Sequence, residues 1–358
     1  MKSILLLLAS AAVSAATPVL IGTRTNGESK GIYAADFDDS TGKLSDVRLV
    51  ALAQNPGFLA LHPDKPVVYA TGKNAAAAYS YGKDGSLKLL NSFSTQGTNP
   101  CHLEVDPGGK LLAVANYGDG TLSWFPLAEN GSLKKLGAVI QFEGSSAHPQ
   151  RQTAPHAHGA HFLGDLLAVP DLGTDRVMLY RTDGDSGLKP SEPAFVKAQP
   201  GDGPRHLTFS PDGKFAFAIH ELSSVAEAYR VDGGKLTSTS RSSTLPDDWE
   251  GQNTTAEIEV DPTGKWVLAS NRGHDSIVVF RFDAEDGSLE RKAIVPAGAK
   301  IPRHFKIAPG GRWVLVAGQD SNDIHVFAFD PETGELKGTG NTVSVPSPIC
   351  VLFLPVDA

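Results

Sequence analysis

The stretch Thr153–Phe162, TAPHAHGAHF, places His156, His158 and His161 within six residues. Imidazoles that close together can ligate a transition metal, move protons, or simply pack against a sheet. A metallohydrolase pattern H-x-H-x-D-H would need Asp where Ala160 stands. On a β-strand His156 and His158 project to one side and His161 to the other, which splits the triplet. No catalytic metal and no cofactor is expected from it. The acid/base reading survives, and it needs partners from elsewhere in the chain.

Those partners must be brought in by the elements that carry them, and the chain is a repeat. One unit recurs as NPCHLEVDPGGKLLAVANYGDG, GPRHLTFSPDGKFAFAIHELSS, NTTAEIEVDPTGKWVLASNRGHDS and IPRHFKIAPGGRWVLVAGQDSND, with weaker copies around Pro56 and Pro155. The leading Pro or its equivalent falls at Pro56, Pro100, Pro155, Pro204, Thr255, Pro302 and Pro348, spaced 44 to 55 residues apart. Each copy holds short alternating runs separated by x-Pro-x-Gly and other polar turns, four strands to the unit, without sustained helical periodicity. Such repeats predict an all-β propeller of four-stranded antiparallel blades. VLIGTRTNGESKGIYAADF near the start of the chain matches the second and third strands of a unit, and SPICVLFLP at its end matches only a first. The C-terminal strand is therefore expected to complete the N-terminal blade, closing a ring of seven and removing two open sheet edges.

In an up-down-up-down blade the start of strand one and the end of strand two share a face near the axis. Aligning the copies brings His158, Arg205, Glu221, Arg272 and His304 to one mouth of the central channel. The neighbouring positions His156, Glu257, His274, Arg303 and Gln319 join them as candidate substrate contacts. His158 and Glu221 suit proton transfer, and paired arginines suit a carboxylate or phosphate, because each planar fork can hold an anion through two parallel bonds. His304 is counted among the substrate contacts, His156 as a loop contact one strand step out, and His161 as structural. Two long connections, QFEGSSAHPQRQTAPHAH and TLPDDWEGQNTTAE, are expected to reach the same mouth.

Composition narrows the partners. A formal charge of −8 and the absence of any basic stretch argue against nucleic acid. Residues 1–16 carry Lys2, the apolar run ILLLLASAAV and small residues up to Ala16, the pattern of a cleaved signal peptide and too short for a membrane anchor. The expectation is a secreted or periplasmic soluble protein, with residues 17–358 as one propeller domain. Cys101 and Cys350 are read as buried thiols rather than a bridge. Asn130 and Asn253 lie in N-x-S/T sequons, the second close to the mouth. An α/β-hydrolase, P-loop or C-x-x-C mechanism finds no support.

The motifs QRQTAPHAHG, VPDLGTDRV, PRHLTFSPDGKFAF, HELSS, NTTAEIEVDPTGKWVLASNRGHDSI, PRHFKIAPGGRWVLVAGQDS and VPSPICVLF resemble the seven-bladed lactonase family. That family includes propeller-type 6-phosphogluconolactonases and 3-carboxy-cis,cis-muconate lactonizing enzymes, and the resemblance covers nearly the whole chain after residue 16. It implies catalytic roles for His158, Arg205, Glu221 and Arg272, metal-free chemistry, and a small lactone or dicarboxylate as substrate. Lactone hydrolysis is the leading expectation, muconate-type cyclisation the alternative, and a non-catalytic binding propeller the third. A signal peptide is unusual for an enzyme of phosphorylated sugars, so the resemblance speaks to fold and reaction type more than to substrate.

Overall fold

The computed structural model describes residues 16–184 and 187–355. The signal-peptide pattern lies in residues 1–15, outside the described residues, apart from Ala16.

Seven four-stranded antiparallel sheets form the molecule. The first blade combines β1 (Thr17–Thr23), β2 (Gly31–Asp38) and β3 (Lys43–Leu52) with the last strand of the chain. The second holds β4 (Leu59–Leu61), β5 (Val67–Gly72), β6 (Ala75–Tyr81) and β7 (Leu87–Ser94). The third holds β8 (Pro100–Val105), β9 (Leu111–Asn116), β10 (Thr121–Pro126) and β11 (Ala138–Gln141). The fourth holds β12 (His161–Leu163), β13 (Leu166–Asp171), β14 (Arg176–Thr182) and β15 (Leu188–Lys197). The fifth holds β16 (Pro204–Phe209), β17 (Phe215–His220), β18 (Val225–Asp232) and β19 (Lys235–Ser243). The sixth holds β20 (Thr254–Val260), β21 (Trp266–Arg272), β22 (Ser276–Asp283) and β23 (Ser288–Pro296). The seventh holds β24 (Pro302–Ile307), β25 (Trp313–Gly318), β26 (Asp323–Phe329) and β27 (Leu336–Ser344). Strand β28 (Pro348–Phe353) then pairs antiparallel with β1, Val19 opposite Phe353, and closes the ring as the innermost strand of the first blade.

Sequence pattern explains the layering. Second strands such as LLAVAN of β9 and FAFAIH of β17 are buried throughout, because both of their faces meet a neighbouring blade. Outer strands are open to solvent: β7 has no buried residue and β19 has only Leu236. Between the fifth and sixth blades Phe215, Phe217, Ile219, Ile258, Val267, Phe280 and Phe282 form one apolar cluster, so each core is shared by two blades. The turn from the first to the second strand is fixed by its own side chains. Asp261 Oδ1 accepts the amides of Lys265 at 2.9 Å and Trp266 at 2.8 Å, while Gly264 supplies the left-handed φ of 73° that the turn requires.

One local feature positions the site. In β8 the register runs Pro100 opposite Asn116, then His102 opposite Ala115. In β16 it runs Pro204–His220 then His206–Ile219, and in β24 Pro302–Gly318 then His304–Ala317. The residue in between has no partner. These three inner strands thus carry a β-bulge directly after their Pro, and the bulged residues Cys101, Arg205 and Arg303 line the channel mouth. Ile349 of β28 and Ala256–Glu257 of β20 occupy the corresponding breaks in register.

Candidate active site

Two sets of equivalent positions build the mouth. The first is the bulge set, to which His158 belongs, since Ala157 bridges Asp171 as Pro204 pairs with His220. The second follows the second-strand residue that faces the leading Pro or Thr. Thr23, Asn116, His220, Asn271 and Gly318 all oppose the leading Pro or Thr, so Arg24, Tyr117, Glu221, Arg272 and Gln319 are equivalent.

Glu221 is the centre. Its Oε1 lies 2.7 Å from Arg151 Nη2, and its Oε2 lies 3.0 Å from Arg272 Nη2, 3.2 Å from Arg205 Nε and 3.9 Å from His158 Nε2. Burial works against its ionisation, but Arg272, His158, Arg205 and Arg151 together hold the carboxyl well below the usual glutamate range. Arg205 is only 2% exposed and also donates to the Ala256 carbonyl. Arg272 Nη2 donates to Thr255 O at 2.6 Å, and Arg151 Nη2 to Tyr117 Oη at 3.1 Å. All three guanidiniums are therefore engaged by the protein itself.

His158 is buried, and burial, Arg205 and His206 hold it neutral well below the ordinary 6.5, against the pull of Glu221. Its ring meets Tyr117 edge-on at 5.3 Å, and the Cys101 thiol lies 3.8 Å from Nδ1. Burial pushes that thiol up to about 12 despite Arg205 and Arg303, so Cys101 stays protonated. Both cysteines are free thiols.

Two adjoining cavities open at this mouth. One, of about 290 Å³, is lined by His158, Glu221, Arg272, Arg151, Tyr117 and Thr254. The other, of about 270 Å³, is lined by Arg205, His206, Glu257, His304 and Asn55. Arg24, Asn99, Cys101 and Arg303 line both. Among the described residues, the side chains of Arg24 and Arg303 make no ion pair and no hydrogen bond. Burial and the neighbouring guanidiniums lower both, a strain that an anion in the cavity would relieve.

The structure thus brings His158, Arg205, Glu221 and Arg272 together, with Arg303 beside them and Glu257 and His304 one layer deeper. It does not bring in three others. His156 stacks on Tyr117 at 4.5 Å with Nδ1 2.8 Å from the Tyr117 carbonyl, outside both cavities. His274 packs edge-on against Trp249 and reaches Ser276 Oγ at 2.8 Å. Gln319 lines a separate surface recess with Asn26, Glu28 and Asp320. His161 corrects the strand-alternation argument. It faces the channel, its ring 5.7 Å from His206, as His158 does at 5.2 Å. The regular strand β12 begins only at His161, so strict alternation does not apply across Ala157–Ala160. Its Nε2 accepts the Leu207 amide at 3.2 Å, a link between adjacent blades.

Arg24, Arg151 and Tyr117 escaped the sequence reading. Arg24 and Tyr117 hold repeat positions level with Glu221 and could have been found by register; Arg151 sits in the long loop before His158, where no repeat phase exists. Gly27–Gly31 spells G-x-S-x-G, but it joins two strands, and Ser29 Oγ is 2.5 Å from Thr23 Oγ1. It is not a nucleophile elbow. Among the described residues, the one group with metal-ligand spacing is Asp202, His220 and Glu227, whose ligand atoms lie within 4.8 Å of one another. Arg241 bridges Asp202 and Glu227 there and already offsets part of their charge. The Asn253 amide nitrogen donates to Ser224 Oγ and Asn271 Oδ1, so that sequon is engaged in the loop.

Comparison with known proteins follows from this geometry. The family model described as Lactonase, 7-bladed beta-propeller matches residues 18–353. A 6-phosphogluconolactonase of Bacillus subtilis is 33% identical over 343 residues, covering 93% of this chain and 97% of that protein. A 6-phosphogluconolactonase of Formosa agariphila is 35% identical over 291 residues, covering 77% and 82%. The solved structure of a periplasmic gluconolactonase of Pseudomonas aeruginosa superposes with a TM-score of 0.91 at 32% identity, covering 95% of this chain and 99% of that one.

Proposed function

The chain belongs to the lactonase family of seven-bladed β-propellers, and on that premise we propose that it is an exported hydrolase of small, anionic, sugar-type lactones. The observation that carries the reading is a neutral, buried His158 beside two cavities into which Arg24 and Arg303 present uncommitted guanidiniums. His158 takes a proton from water as its oxygen adds to the lactone carbonyl. Glu221 stabilises the imidazolium that forms, and the same proton passes to the ring oxygen as the carbon–oxygen bond breaks. Arg205 and Arg272 hold Glu221 in place rather than holding substrate. Arg303 and Arg24 receive the substrate's anionic group or the developing oxyanion. The names of the relatives favour gluconolactone and its 6-phosphate as first substrates, and the pattern of residues 1–16 favours export.

The purified protein is to be incubated with gluconolactone, 6-phosphogluconolactone and muconolactone while acid release is followed. Turnover that disappears in His158→Ala supports the assignment; no turnover on any, or an unchanged rate in the variant, rejects it. Two separate uncommitted forks also suit a dicarboxylate, which favours muconate-type cyclisation as the second reading. Loss of the muconate ultraviolet absorbance on incubation would identify it.

A further inference from the structure

Below the mouth the channel holds a second set of buried titratable groups that the hydrolytic steps do not use. His206 is 2% exposed, and its Nδ1 lies 3.0 and 3.1 Å from the two oxygens of Glu257. Nδ1 therefore carries the proton, and Nε2, buried without any partner, presents a bare lone pair. A histidine held by a carboxylate at one nitrogen can take a proton at the other, here only in transit, because burial and Arg205 hold His206 well below the ordinary 6.5. Its ring meets that of His158 edge-on, the two centroids 5.2 Å apart.

Glu257 connects this pair to the far side. It lines the upper cavity and also a lower one of about 360 Å³, which continues past Glu104, Glu259 and Lys306 to Leu61, Val105 and Leu352 near the other ends of the inner strands. Phe58 narrows the waist between the two, its ring 4.0 Å from His102 and 5.7 Å from His304. Protons can cross such a constriction along side chains where a substrate cannot. The charge distribution gives a direction. Five guanidiniums (Arg24, Arg151, Arg205, Arg272, Arg303) line the two cavities at the mouth, against the carboxylates of Glu221 and Glu257. The lower cavity is lined by three carboxylates, Glu104, Glu257 and Glu259, and one lysine, which is paired with Glu259.

We propose that His206 and Glu257 form a proton relay that carries the proton released by lactone opening from His158 into the lower half of the channel. The inference rests on the hydrolytic reading. Ring opening consumes one water; one of its protons ends on the new hydroxyl, and the carboxylic acid then ionises, leaving one proton to remove. His158, restored to its neutral form, takes that proton and passes it to His206 Nε2. His206 releases its Nδ1 proton to Glu257, which discharges it to water in the lower cavity, and rotation of the His206 ring returns its remaining proton to Glu257 for the next turnover. His102, His161 and His304 surround the path, and each has one nitrogen committed to a backbone amide, of Ala160, Leu207 and Val351 respectively. The Glu104 carboxyl, pushed up to about 7 by burial, is suited to receive the proton near neutrality.

The test compares wild type, Glu257→Gln and His206→Gln on a turned-over lactone, at one pH and rising imidazole-buffer concentration. In low buffer both variants are expected to lose at least tenfold in kcat with KM changed less than twofold. Added buffer is expected to restore most of it, because a small base entering from the mouth replaces the relay. Wild type is expected to show no buffer dependence. Wild-type kcat in a folded variant at low buffer, or a loss that buffer does not restore, overturns the relay. Either variant decides alone should the other not fold. A wild type that turns over no lactone removes the hydrolytic reading itself, and His158→Ala, which buffer is not expected to rescue through this route, separates the two failures.

Discussion

Replacing Glu221 by Gln removes one charge at the point where four cationic or protonatable groups meet. A unit charge 3.9 Å from His158 Nε2 is worth about 4 kcal/mol at an effective dielectric of about 20. That is a ceiling of roughly three decades in the stability of the imidazolium, at 1.4 kcal/mol for each factor of ten. With His158 only partly protonated in the transition state, kcat is expected to fall by about 10²–10³. KM for an anionic lactone should fall as well. The variant leaves three guanidiniums without their carboxylate, so anionic substrate, and inorganic phosphate as inhibitor, should bind more tightly. The fold should also weaken, by about 3–5 kcal/mol, because buried Arg205 loses its counter-charge. The assay is a pH-stat rate over a range of substrate concentrations, scaled to the folded fraction from circular dichroism, with a urea midpoint measured alongside. A purely structural Glu221 gives the lower midpoint with an unchanged kcat per folded molecule. A folded variant within threefold of wild-type kcat, or with a raised KM for the anionic substrate, would refute the placement of Glu221 against the imidazolium.

Arg303→Ala is expected to raise KM for a phosphorylated or carboxylated lactone by about 10- to 100-fold, the loss of a charged hydrogen bond, with little change for uncharged gluconolactone; steady-state kinetics on the pair of substrates reads this. Burial holds His161 near about 3 and His304 near about 4, below the ordinary 6.5, and each accepts a backbone amide in its neutral form. Their contribution is complete above pH 6.5 and is lost as pH falls, because the unfolded chain takes up protons that the folded one refuses. Urea midpoints should therefore drop between pH 7 and pH 4, by on the order of 3 kcal/mol for His304 alone. Ending the chain before Pro348 removes the inner strand of the first blade and bares the edge of β1, so the truncated protein should fail to give the native circular dichroism signal and should aggregate.

Much of this arrangement was legible because a propeller repeats its geometry with its sequence. The Pro at the head of each inner strand fixed the phase, so Arg205, Glu221, Arg272 and His158 could be placed level without coordinates. The bulge after the Pro could not be read, since it is a backbone event between two strands. Arg24 was hidden because its blade takes its inner strand, and hence its Pro, from the opposite end of the chain. Arg151 was hidden for another reason: a loop has no register to count from. Which arginines remain free is also a matter of reach. Arg205, Arg272 and Arg151 meet Glu221, whereas Arg303, on the same type of bulge as Arg205, ends beside the cavity without a partner.

The bulge after each leading Pro separates two kinds of change. Its side chain leaves the blade without entering the apolar cluster between blades, and Cys101, His158, Arg205, Ala256, Arg303 and Ile349 show how different its occupants are. Substitution there alters the mouth while the packing that supports it stays the same. A ring built this way can acquire a new specificity by single steps, each paid in chemistry rather than in stability. Selection for a different small molecule would be expected to leave its marks at these positions and on the residues that follow the second strands, with the blades themselves little changed.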